Sequence, residues 1–100
     1  MNINFEYHGV KASNRLEIMT AEKLDKLLNK FDFVVRADVF FKKENTSEPE
    51  TGMKCGIRLS SPGPRLFAES SKSTFEASIA ETITELERQL NKRKAKMRTH

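Results

Sequence analysis

Phe75, Ile79, Ile83, Leu86 and Leu90 stand four, four, three and four residues apart. That spacing sets five apolar side chains on one stripe of an α-helix and leaves the other positions to polar and charged residues. A helix of this kind has one face to bury and needs a second layer to bury it against. Ser73-Thr74-Phe75-Glu76 precedes the stripe as a capping box. The helix is expected from 74 to about 96, on the order of 35 Å at 1.5 Å per residue. The stripe stops after Leu90 and resumes only at Met97. The final turns are therefore expected to stand clear of the body.

The covering layer must come from segments that alternate. Ile3, Phe5 and Tyr7 face one way and Asn4, Glu6 and His8 the other, which predicts a strand over 2–8. A second strand is expected within 33–43, with Val35, Ala37, Val39 and Phe41 inward and Phe40 interrupting the polar face. Met53–Ser60 alternates again, with Met53, Cys55, Ile57 and Leu59 on one side. A short fourth strand is expected over Arg65–Ser70, after the turn Ser61-Pro62-Gly63-Pro64. Between the first two strands, Leu16, Leu24, Leu27, Leu28 and Phe31 recur at helical spacing, predicting a helix over about 14–31 capped by Asn14 with Glu17 reaching back. Glu44–Gly52, without one apolar residue, reads as a mobile hairpin loop.

The order β-α-β-β-β-α predicts an α+β fold. It is a two-layer sandwich, a four-stranded mixed sheet with two helices on one face. If the first two strands are neighbours, the helix between them makes them parallel. The last three strands and second helix share their order with the double-stranded-RNA-binding domain. Hydrophobic residues are 37% of the chain and charged residues 32%, enough apolar material for one small core and not for two. Residues 1–100 are therefore expected to form a single domain, with a mobile tail at about 97–100. The longest strictly apolar runs are three residues, against the roughly 20 of a membrane span, and Met1 leads into an alternating pattern and not a signal peptide. No membrane partner is expected. One cysteine, Cys55, fits a reducing cytoplasm.

The charge is unevenly placed. Residues 1–87 hold 12 basic and 14 acidic side chains, whereas residues 88–100 hold Arg88, Lys92, Arg93, Lys94, Lys96 and Arg98 and no acid. The net charge of +4 thus arises entirely in the last thirteen residues. One or two cations suffice to offset a helix dipole; six point to an anionic partner. Arg88, Lys92 and Lys96, four apart, project from one side of the helix, with Arg93 and Lys94 flanking them. Lys23, Lys26 and Lys30 form a second row on the first helix. Taken alone, that row reads as an ordinary solvated face. If the helices lie side by side, both rows can join in one phosphate-binding surface. A double-stranded-RNA-binding domain grips phosphates at the start of its last helix. Here the cluster is at the opposite end, which makes general duplex or structured-RNA binding the alternative and not the first reading.

Nothing in the pattern marks an enzyme. Cys55 falls on an inward strand position and reads as a buried thiol. His8 and His100 are too few and too far apart for a metal site, and there is no nucleophile elbow, phosphate loop or dinucleotide fingerprint. No cofactor, metal or small-molecule substrate is expected.

The run Leu86-Glu87-Arg88-Gln89-Leu90-Asn91-Lys92, followed by Arg93-Lys94-Ala95-Lys96-Met97-Arg98-Thr99-His100, resembles the end of the ribosome hibernation promoting factor / ribosome-associated inhibitor A family. Val10, Ser13, Lys23-Leu24-Asp25-Lys26-Leu27 and Ala77-Ser78-Ile79 extend the likeness over nearly the whole chain. The resemblance implies a cytoplasmic, non-catalytic factor that binds ribosomal RNA of the small ribosomal subunit between head and body. There it blocks tRNA and mRNA binding in stress or stationary phase. It implies RNA contacts by Lys23, Lys26, Arg88 and Lys92, with Lys94 and Lys96 at basic positions of the short members. Related sequences place a basic residue one position before Lys30, where this chain has Asn29. Thr74-Phe75-Glu76 replaces an Asp-Met-Tyr that often opens the second helix. Ending at His100, the chain resembles the short form, without the ribosome-pairing domain of long members or the acidic tail of the inhibitor type. It is expected to be a monomer off the ribosome.

Overall fold

The computed structural model describes residues 2–97; of the tail expected at about 97–100, Met97 is the last residue of a helix and 98–100 lie outside the described residues. The elements follow the order β1 (Asn2–His8), α1 (Asn14–Leu28), β2 (Arg36–Lys43), β3 (Met53–Ser60), β4 (Leu66–Lys72) and α2 (Phe75–Met97). The sheet runs β1-β2-β3-β4. β1 pairs parallel with β2, from Asn2 opposite Arg36 to His8 opposite Lys42. The β2–β3 and β3–β4 pairs are antiparallel. Both helices lie on one face of this mixed sheet, as the alternation requires.

That face holds one core. Ala37, Val39 and Phe41 from β2 and Cys55, Ile57 and Leu59 from β3 meet Leu16, Leu24 and Leu27 of α1 and Ile79, Leu86 and Leu90 of α2. Two buried hydroxyls fix α2 to the sheet. Thr82 donates to the Cys55 carbonyl (3.2 Å), and Ser78 donates to the Met53 carbonyl. The bonds satisfy polar groups that burial would otherwise leave costly.

Several boundaries differ from the sequence expectation. The cap of α1 is Ser13, whose hydroxyl accepts from the Leu16 amide at 3.2 Å, and not Asn14. Glu17 does not reach back to the cap. Its carboxylate accepts the Tyr7 hydroxyl at 2.7 Å, tying α1 to β1. The helix stops at Leu28 and not at 31. Lys30 and Phe31 instead bond back three residues, a tightened turn that still delivers Phe31 to the core. Val35 does not face inward: it is 66% exposed while Val34 is buried, because regular alternation begins only at Arg36. β4 continues two residues past Ser70, since its pairing with β3 runs on to Lys72 opposite Met53. At α2 the cap is Thr74, whose hydroxyl accepts from the Ala77 amide at 3.1 Å. Glu76 turns aside to Arg15 (2.6 Å) and not back to Ser73. A hydrogen bond donated by its own backbone N–H, and then the bond and charge of Arg15, hold the Glu76 carboxyl below its usual range.

Candidate nucleic-acid interface

The closing half of α2 lies in a trough between two neighbours: α1 on one side and the β3–β4 turn with β4 on the other. Its cations are divided between these flanks by helical phase. On the α1 side, Lys23, Lys26 and Lys30 line a shallow groove of about 380 Å³ with Leu27, Ile83 and Glu87. On the β4 side, Arg88, Lys92, Arg93 and Lys96 line a second groove of about 270 Å³ with Leu66 and Gln89. The two rows therefore border separate grooves on either side of α2. The helix lies between these two basic margins.

The eight cations differ in how they are held. Lys23, Lys26 and Lys92 are exposed and make no ion pair among the described residues. Lys96 is exposed as well. Lys30 meets the Glu87 carboxylate at 3.2 Å, with both side chains well exposed. Arg88 grips Glu85 through two bonds, Nε to Oε1 at 3.0 Å and Nη2 to Oε2 at 2.6 Å. Those bonds, one from Gln89, and the charges of Arg88 and Lys92 hold the Glu85 carboxyl down to about 2. Exposed pairs of this sort contribute little to stability and yield readily to a stronger anion.

Arg93 and Lys94 serve the fold. The Arg93 guanidinium donates to Ser61 Oγ (3.1 Å), the Pro62 carbonyl (3.0 Å) and the Pro64 carbonyl (2.7 Å). It thereby holds the β3–β4 turn, whose Gly63 has φ +92° and would be strained by any side chain. Lys94 donates to the Lys30 carbonyl at 3.2 Å and lies 5.5 Å from the centre of the Phe31 ring. The turns after Leu90 thus do not stand clear of the body. Two cations do there what an apolar stripe does earlier in the helix. Sequence spacing could not separate these anchors from exposed lysines, because the acceptors, three backbone carbonyls and the Ser61 hydroxyl, lie on remote turns.

Cys55 is fully buried and burial pushes its thiol up to about 12, which keeps it protonated and inert. Among the described residues no group of three or more His, Cys, Asp or Glu side chains could hold a metal ion. No helix among them is long and apolar enough to cross a membrane.

Comparison with known proteins follows the same lines. A family profile described as sigma 54 modulation protein / S30EA ribosomal protein matches residues 3–98. Among solved structures, the chain is similar to a ribosomal subunit interface protein from Coxiella burnetii, with a TM-score of 0.82 and 22% identity over 95% of this chain and 99% of that one. It is also similar to the N-terminal domain of Protein Y from Thermus thermophilus, with a TM-score of 0.76 and 19% identity over 92% and 98% of the two chains. A search of curated protein sequences gives no significant match.

Proposed function

The chain belongs to the sigma 54 modulation protein / S30EA ribosomal protein family, and from that premise we propose that it is a ribosome hibernation factor acting on the small subunit. In this reading residues 1–100 work as one ribosome-binding domain in the cytoplasm. It occupies ribosomal RNA at the decoding region and excludes tRNA and mRNA by its bulk when growth slows. No chemistry is required of it. Family membership supports the ribosome as partner, and the name of the Coxiella burnetii relative, a ribosomal subunit interface protein, supports the same target.

The observation that carries the RNA contact is the pair of basic margins along α2. Lys23 and Lys26 stand on one side and Lys92, with Arg88 releasable from Glu85, on the other. Both would meet phosphates whatever the base sequence, so binding weakens as salt rises. The test is cosedimentation with ribosomes through sucrose gradients. Arg88→Glu combined with Lys92→Glu abolishes cosedimentation at moderate salt while the melting temperature stays unchanged. Cosedimentation equal to that of the unaltered protein overturns the proposal. Comparable affinity for ribosomes and for a bare RNA hairpin replaces it with a general structured-RNA module.

A further inference from the structure

The sheet has a second face, opposite the helices, which no part of the proposed helix-side contact uses. Strand register sets its side chains in rows. Asn4, Asp38, Arg58 and Phe67 lie across the four strands in one row, and Glu6, Phe40, Gly56 and Glu69 in the next. Two aromatic rings sit where an outer face usually carries polar residues. Phe40 and Phe67 are within 16° of parallel with centroids 6.4 Å apart, and Phe67 is 40% exposed.

Gly56 makes room for this pair. A Cβ there would lie 2.2 Å from Phe40 Cε1 and 2.3 Å from Cζ, so the ring occupies the space that any other residue would fill. A glycine inside a strand weakens it and often marks a place of close approach. The rings border a concavity of about 300 Å³ whose rim carries Arg36, Arg58 and Arg65. Arg36 is engaged with Asp38 at 2.9 Å. Burial tends to raise the Asp38 carboxyl, but bonds from Arg36 and Asn4 with the charges of Arg36 and Arg58 hold it below its usual range. Glu6 has His8 beside it at 3.5 Å. Arg58 and Arg65 have no ion pair among the described residues and are exposed. Two exposed guanidinium groups without a direct ion pair among the described residues, Arg58 with the Asp38 carboxylate in its neighbourhood, stand beside an exposed aromatic ring and complement an anion that carries a flat ring of its own.

We infer that this open sheet face is a second nucleic-acid contact, taking unpaired nucleotides with a base on Phe67 and the adjoining phosphates on Arg58 and Arg65. Paired bases would present only an edge or a backbone here, so the occupant is single-stranded RNA and not duplex. Stacking on an aromatic ring is tolerant of base identity, and arginine adds charge and planar contact. The site goes beyond the helix-side reading and does not depend on it.

The test is a fluorescence anisotropy titration of the full chain with fluorescein-labelled oligo(A) at low salt. Phe67→Ala, and separately Arg58→Glu with Arg65→Glu, are expected to weaken binding by roughly tenfold or more, with melting temperatures unchanged. Phe67→Trp retains binding, whereas Phe67→Leu, still apolar but without a ring, loses it. Lys23→Glu with Lys26→Glu weakens oligo(A) binding less than either sheet-face change. Three results overturn the inference: no oligo(A) binding by the unaltered protein, full affinity in Phe67→Leu, or loss confined to the helix-side variant. If Phe67→Ala fails to fold, Arg65→Glu, which lies outside the strands, decides alone. Ribosome cosedimentation of the Arg88 and Lys92 variant is read separately, so either contact can fail without the other.

Discussion

Neighbouring cations in one basic run have opposite duties. Arg93 spends its guanidinium on three acceptors of the β3–β4 turn, while Lys92 beside it makes no ion pair among the described residues. Arg93→Ala is therefore expected to lower stability by about 1–2 kcal/mol, from the loss of bonds that a charged donor makes to one part-buried and two exposed acceptors. Lys92→Ala stays within about 0.5 kcal/mol, as surface changes do. Urea denaturation of both variants checks the contrast. Glu85 has its own signature in acid. Its carboxyl falls from an ordinary 4.5 to about 2 in the folded chain. A depressed folded value means that the contribution is complete above the unfolded value and disappears as pH falls toward 2. Glu85→Gln should flatten the loss of stability across that window, lowering stability slightly at pH 5 and above and leaving it unchanged near pH 2, which urea midpoints measured from pH 5 to pH 2 would show.

Among the elements, both helices and all four strands are legible because apolar period and turn residues agree. Boundaries are legible only where a side chain signals them. β4 runs on through Ser71 and Lys72 because backbone pairing continues there, and neither residue bears an apolar mark. Val35 has the parity of an inward residue but precedes the ladder that gives parity meaning. Caps shift by one residue because Ser13 and Asn14, like Ser73 and Thr74, are both competent, and only tertiary approach chooses between them. The candidate site was half legible. Helical phase identifies which lysines share a side, but it cannot show that α2 would separate the two rows or that Glu87 would stand against Lys30. That pair carries a prediction for the α1–α2 groove. Glu87→Gln removes an acid from the margin and releases Lys30, so ribosome affinity should rise several-fold. The dependence of log K on log salt should steepen by about 0.7 to 0.9, one further phosphate contact. Stability should change by less than about 0.5 kcal/mol, because the pair is exposed. Cosedimentation over a salt series measures both.

At the scale of the whole molecule, the end of α2 is braced from two directions, by Arg93 to a turn and by Lys94 to the carbonyl of Lys30 and the ring of Phe31. A partner consequently meets a finished surface and need not wind up a helix before gripping it. Coupled folding would appear calorimetrically as a large negative heat-capacity change, from apolar area newly removed from water. Titration of ribosomal RNA into this protein at several temperatures should instead show only a slight one, with the ordering entropy already met when the chain first folded.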